Sequence, residues 1–244
     1  MLALPGTASA FRDCCFARSI PPRLVGVTLN GPIDQVLGSL ERAGFGDYDP
    51  GNRRISGLGY LTGMRLDAPP AGSDQIGGQV LGPSIVCFEM MCGSGGGAML
   101  MTMGGQPNGA RLLRVVIAVV PDLDAACRTM EGSKRGPWAT PRFGEPYDDP
   151  SLGARVRETR IGLGSLRLIA PTDPDGPAAR WLANGGTRWI GFAVEVGDLY
   201  ATEQWLTRSK VPFVRDIARG DAVVRIDPAE LGGLLVEFVP SGRF

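Results

Sequence analysis

The sequence predicts an α+β protein built from one repeated unit: a strand, a helix, then further strands. Three observations predict it. Bulky residues alternate with small ones in short runs such as Ile190, Phe192 and Val194, the period of a strand with one packed face. Each lead run is followed by a segment with apolar spacings of three and four, the period of a helix packed along one side. This order recurs over residues 22–92, 112–171 and 187–240, which indicates duplicated modules rather than a solenoid.

Residues 1–21 are an irregular lead-in. Its apolar stretch is cut by Pro5 and Gly6 and has no basic start, so it reads as a tail and not as an export signal. Residues 23–29 form the first strand, with Val25, Val27 and Leu29 on one face. The turn Asn30-Gly31-Pro32 leads to a helix carrying Ile33, Val36, Leu37 and Leu40, which Gly44 stops. Residues 46–82 are rich in Gly, Asp and Pro, with strand-like runs at 57–66 and 75–81. Residues 85–91 close the unit with one acid, Glu89, inside an apolar strand. A Gly/Met-rich linker, residues 93–110, follows.

The second unit opens with a strand at 113–120 and a helix begun by Pro121, whose early acids Asp122 and Asp124 suit the positive end of the helix dipole. A Gly/Pro-rich excursion, 131–153, precedes strands at 155–163 and 165–170. The third unit has its strand at 189–194 and a helix started by Gly197-Asp198, with Leu199, Trp205 and Leu206 near one side. Strands at 212–217, 222–226 and 233–239 complete it, the last enclosing Glu237. The expected organisation is a tail (1–21), one βαβββ-like module (22–92), a linker (93–110) and a domain of two paired modules (111–244).

Composition excludes several functions. Lys+Arg and Asp+Glu are both 25, so no net charge recruits nucleic acid or an anionic membrane surface. No apolar run approaches the roughly 20 residues that span a bilayer. The five cysteines have no regular spacing, which argues against a disulfide framework and for a cytoplasmic location. The chain contains no histidine. That removes Ser-His-Asp and Cys-His catalysis and most transition-metal sites. The Gly-rich run at 93–97 has no following Lys-Ser/Thr, so it is not a nucleotide loop.

Three segments carry a family resemblance. LLRVVIAVVPDLDAAC (112–127) resembles the opening of a module in the glyoxalase/bleomycin-resistance, or vicinal oxygen chelate, superfamily. GTRWIGFAVEVGDL (186–199) resembles the opening of its second module, and GLLVEFVP (233–240) its closing strand with a metal-binding Glu. The resemblance covers 112–240 well and 22–92 weakly. It implies repeated βαβββ modules forming a curved mixed sheet around a cavity, with helices on the outer face. It also implies inward ligand positions at Arg114 and Trp189 on the lead strands and at Arg167 and Glu237 on the closing strands. Only Glu237 keeps a ligand type, because a guanidinium stays protonated and cannot bind a cation. In the first module Leu24 holds the lead position and Glu89 the closing one. No metal and no cofactor are therefore expected.

With Arg114, Trp189 and Glu237 inward, strand alternation puts Val115, Ile117, Ile190, Phe192, Val236 and Phe238 outward and leaves Ala118, Gly191 and Ala193 to line a cavity. Two readings of that cavity follow. In the first, Arg114 and Arg167 hold an anionic substrate oxygen and Glu237 moves a proton next to a carbonyl. That makes a metal-independent isomerase, lyase or cyclase acting on a small carbonyl-bearing or polycyclic substrate. Trp189, Glu89, Tyr60, Arg225 and Arg157 are the substrate-binding candidates, with Arg225 and Arg157 read as rim charges. In the second, the Arg/Glu set is a structural ion-pair network in a non-catalytic protein that sequesters a small, drug-like molecule. An odd third module implies a homodimer, through packing beside the pair or exchange between subunits.

Overall fold

The computed structural model describes residues 23–30, 33–46, 48–49, 54–55, 63–67, 75–76, 79–80, 84–91, 106–132, 142–161, 164–218 and 220–242. The second unit runs β8 (Ala110–Val119), α2 (Leu123–Glu131), β9 (Tyr147–Asp149), β10 (Ala154–Ile161) and β11 (Gly164–Pro171). It is preceded by β1 (Arg23–Asn30), α1 (Ile33–Arg42), β2 (Tyr48–Asp49), β3 (Arg54–Ile55), β4 (Gly63–Asp67), β5 (Gln75–Ile76), β6 (Gln79–Val80) and β7 (Ser84–Met91). After a short α3 (Pro177–Ala183) come β12 (Arg188–Val196), α4 (Leu199–Arg208), β13 (Phe213–Ala218), β14 (Asp221–Ile226) and β15 (Leu235–Pro240).

Units two and three share one topology. β11 returns parallel to β8 and β15 parallel to β12, the arrangement a helical crossover permits. The middle strands then pair antiparallel outward, giving β9-β10-β11-β8 and β12-β15-β14-β13. β8 and β12 lie antiparallel and join the halves into one curved mixed sheet of eight strands. This is the expected α+β architecture.

Local chemistry starts helices α2 and α4. Asp122 accepts a hydrogen bond from the Ala125 amide at 2.9 Å, and Asp198 accepts from Tyr200 at 2.8 Å, so both are N-caps. Helix α1 is followed by Gly44, which adopts φ +86°, where a side chain would be strained and would run into Trp205 and Asn108.

Two apolar layers sandwich the sheet. On the helix side, Val116, Ala118, Phe192, Val194, Val236 and Phe238 pack with Leu123 and Cys127 of α2 and Leu206 of α4. Phe45, just after α1, stacks on Phe238 with ring centres 5.9 Å apart. The opposite face carries Val115, Ile117, Ile169, Ala193, Leu235 and Val239 against Ala178 and Trp181 of α3.

This pattern corrects the expected alternation at particular residues. β12 has register shifts between Trp189 and Gly191 and between Ala193 and Val194. The first aligns Trp189 with Ala118 and turns its indole into the helix-side core, where it is 2% exposed; Ile190 goes to the other side. On β8, Arg114 lies in the irregularity opposite Ala193/Val194, so Val115 and Ile117 face away from α2 and α4 and not toward them. Of the three small residues expected to leave room, Ala193 is on that face and Ala118 is not. Phe192, Val236 and Phe238 pack on the helix side, the outward face assigned to them.

In the N-terminal unit the strand parallel to β1 is β4, and the order β2-β3-β4-β1 repeats the topology of the other modules within residues 23–67. β7 lies antiparallel on the other side of β1 and touches β12 through one pairing, Trp189 with Ile85. A closing strand must run parallel to its lead strand, so β7 is not one. Glu89 therefore pairs with Gly26 and is not the counterpart of Glu237. β5 and β6 form a separate two-stranded sheet.

Candidate functional site

The middle of the sheet face opposite α2 and α4 is charged. β11 aligns Arg167 with Ile117 of β8, and β15 aligns Glu237 with Ala193 of β12. Ile117 and Ala193 each lie six residues before the following helix, so Arg167 and Glu237 occupy equivalent places in the two modules. Side chains at aligned positions share a face, which brings the two together across the module junction. Arg167 Nη1 donates to Glu237 Oε2 at 2.5 Å, with both side chains buried.

A second guanidinium holds the other carboxylate oxygen. Arg225 of β14 sits opposite Glu237 in the β14–β15 ladder and donates from Nε to Oε1 at 2.8 Å. Its Nη1 and Nη2 reach Asp149 at 3.1 and 2.5 Å, and Nη1 also reaches Ser151 Oγ and Asp216 Oδ2, the latter at 2.7 Å. Asp149 and Ser151 belong to the β9–β10 end of the sheet and Asp216 to β13 at the other end. Arg225 therefore ties the two ends of the curved sheet together. It is 5% exposed, a correction to the rim position expected from sequence.

Arg167 has a looser second partner. Its Nε donates to Glu158 Oε2 at 3.4 Å, and its Nη2 has no hydrogen-bond partner. Burial pulls the Arg167 guanidinium down, but Glu237 and Glu158 outweigh it and raise it above its ordinary value. Arg225 is raised in the same way by Glu237 and Asp149 against its own desolvation. For Glu237, burial pushes upward, yet Arg167 and Arg225 together hold the carboxyl down at about 2. It is an anion at neutral pH and a weak base.

The other candidates distribute differently. Arg114 Nε donates to Glu195 Oε2 at 2.5 Å in a partly exposed pair on β8 and β12. Arg157 is on the helix side, because its neighbour Glu158 is the residue aligned with Arg167. It contacts Asp124 of α2 at 3.4 Å and acts electrostatically on Cys127, whose thiol burial pushes up. Arg157 and Trp189 thus leave the cavity set. Tyr60 lies outside the described residues, as does the side chain of Glu89. Sequence reasoning missed Asp149, Ser151, Glu158, Glu195 and Asp216. Strand parity flags Glu158 and Glu195, whereas Asp149 and Ser151 lie inside the excursion read as irregular.

These residues do not fit the superfamily's metal. Arg167 stands at one closing-strand position and cannot ligate, and both oxygens of Glu237 are taken by guanidiniums. Among the described residues no group of three or more His, Cys, Asp and Glu is arranged to hold an ion.

No family model matches the sequence. Methylmalonyl-CoA epimerase, mitochondrial, of Bos taurus is 29% identical over 137 residues, covering 53% of this chain and 74% of that protein. The crystal structure of methylmalonyl-CoA epimerase from Mycobacterium tuberculosis superposes with a TM-score of 0.50 at 23% identity, covering 59% of this chain and 93% of that one. A methylmalonyl-CoA epimerase in complex with methylmalonyl-CoA and NH4+ is 20% identical with a TM-score of 0.47, covering 54% and 94%. The paired βαβββ topology, the three motif segments and the likeness to the bovine and Mycobacterium tuberculosis epimerases are all consistent with the vicinal oxygen chelate superfamily.

Proposed function

We propose that this protein is an isomerase-type enzyme that moves a proton next to the carbonyl of a small acyl compound, with guanidiniums standing where its superfamily uses a metal. The observation that carries the reading is the unequal pairing around Arg167. Glu237 is locked on both oxygens, at 2.5 and 2.8 Å, whereas Glu158 has one long contact of 3.4 Å. Glu237 thus fixes Arg167 and Arg225 in place, and Glu158 is the carboxylate beside Arg167 free to take and return a proton. Likeness to methylmalonyl-CoA epimerases supports the isomerase class and an acyl-CoA thioester as the substrate type. With Glu158 as the single base, the α-proton leaves from one face, and the configurations interconvert when the planar enolate turns before the proton returns or when solvent protonates its other face. The proposal includes a cytoplasmic homodimer with a single domain of paired modules over residues 111–244. Balanced charge and irregularly spaced cysteines support the location.

The test is α-proton exchange into D2O, followed by mass spectrometry on propionyl-CoA and methylmalonyl-CoA. Exchange is expected without added metal, is unchanged by a chelator and falls about 100-fold or more in Glu158→Gln, the usual size of a general acid–base contribution. Full activity in that variant removes Glu158, and exchange that needs a divalent ion removes the guanidinium reading. The closed pairing of Glu237 favours a second reading, a protein that binds without chemistry. Tight thioester binding with no exchange in the wild type selects it.

A further inference from the structure

Arg167 Nη2 is a buried donor with no acceptor, on a side chain that is 1% exposed and whose other two nitrogens are engaged. A buried unpaired N–H is unfavourable, and in a folded protein it calls for an explanation such as a ligand. The charge around it decides which kind. The connected network sets two guanidiniums, Arg167 and Arg225, against four carboxylates, Glu158, Glu237, Asp149 and Asp216. The formal balance is negative, and Arg167 is already matched by two acids. A further carboxylate would enter a desolvated place with surplus negative charge, where repulsion is least screened. A carbonyl oxygen accepts the same N–H without adding charge, and the bond strengthens as negative charge develops on that oxygen.

We infer that Arg167 Nη2 binds the neutral carbonyl oxygen of a thioester, and that the surrounding acids select against substrates with a free carboxylate on the adjacent carbon. The choice of a thioester rests on the isomerase reading; the discrimination rests on the charge count alone. This sets the chain apart from the similar epimerase solved in complex with methylmalonyl-CoA.

Calorimetric titration of the full chain with propionyl-CoA and malonyl-CoA tests it, since the two differ by that carboxylate. Malonyl-CoA is expected to bind at least about tenfold more weakly, the effect of one poorly screened like-charge contact. Asp216→Asn removes one negative charge from a side chain that is 27% exposed. It is expected to narrow the gap to about threefold or less, by the same Coulomb argument. Arg167→Lys keeps the charge but loses the second amino group, and is expected to lose the preference. Equal or tighter malonyl-CoA binding, no binding of either thioester, or a gap that Asp216→Asn leaves unchanged overturns the inference. Proton exchange without discrimination sinks this inference and spares the isomerase reading. Discrimination without exchange does the reverse.

Discussion

Replacing Glu237 by Gln keeps the side-chain shape and removes the charge that two buried guanidiniums share. In the wild type this carboxylate is 0% exposed and accepts charge-assisted bonds of 2.5 and 2.8 Å. Breaking a buried ion pair from one side costs about 3–5 kcal/mol, because the remaining cation stays desolvated. For a chain of this size that corresponds to a melting point lower by on the order of 10 °C. The pH dependence gives a second, independent magnitude. Glu237 titrates at about 2 in the folded protein against 4.5 ordinarily, a depressed value. Its stabilisation is therefore fully present above about pH 4.5 and is lost as pH falls through 2, a change on the order of 3 kcal/mol by linkage. Urea unfolding of wild type and Glu237→Gln across pH 2 to 7 measures both. The two proteins should differ most at neutral pH and converge toward pH 2. A difference below about 1 kcal/mol at pH 7, or one that stays constant with pH, would falsify the buried-pair account.

Two further outcomes follow from packing. A Cβ at Gly191 would stand 2.1 Å from the Leu235 carbonyl oxygen and 2.6 Å from its Cβ, so Gly191→Ala pushes β15 away from β12. Urea unfolding should show a loss of about 1–3 kcal/mol or more, as overpacking gives, and an unchanged midpoint would refute the close approach. Arg157→Ala should leave thioester affinity unaltered and lower stability by less than about 1 kcal/mol, since its partner Asp124 is 64% exposed. A clear loss of affinity in titration would return Arg157 to the ligand face.

Much of the fold is legible because its causes are local. Asp122 and Asp198 cap helices through amides two or three residues away, and apolar spacing shows which helix side is buried. The equivalence of Arg167 and Glu237 is legible for a related reason: each is carried by a strand parallel to the lead strand of its module. What misleads is parity. A register shift beside Trp189 moves its indole to the other side of the sheet, and the irregularity at Arg114 does the same to Val115 and Ile117. Nothing in a run of alternating residues announces a bulge, since its cause is how one strand meets its neighbour.

By itself the sequence determined the module order, the helix starts and the absence of histidine chemistry. Those follow from residue type and short spacing. Tertiary structure alone decided the partners. Arg225 meets Asp149, 76 residues away, because curvature brings opposite ends of the sheet together. The strand carrying Glu89 runs antiparallel to β1 and so closes no module. Glu237 became an anchored anion because two guanidiniums from different strands converge on it, a consequence of register that no local pattern encodes.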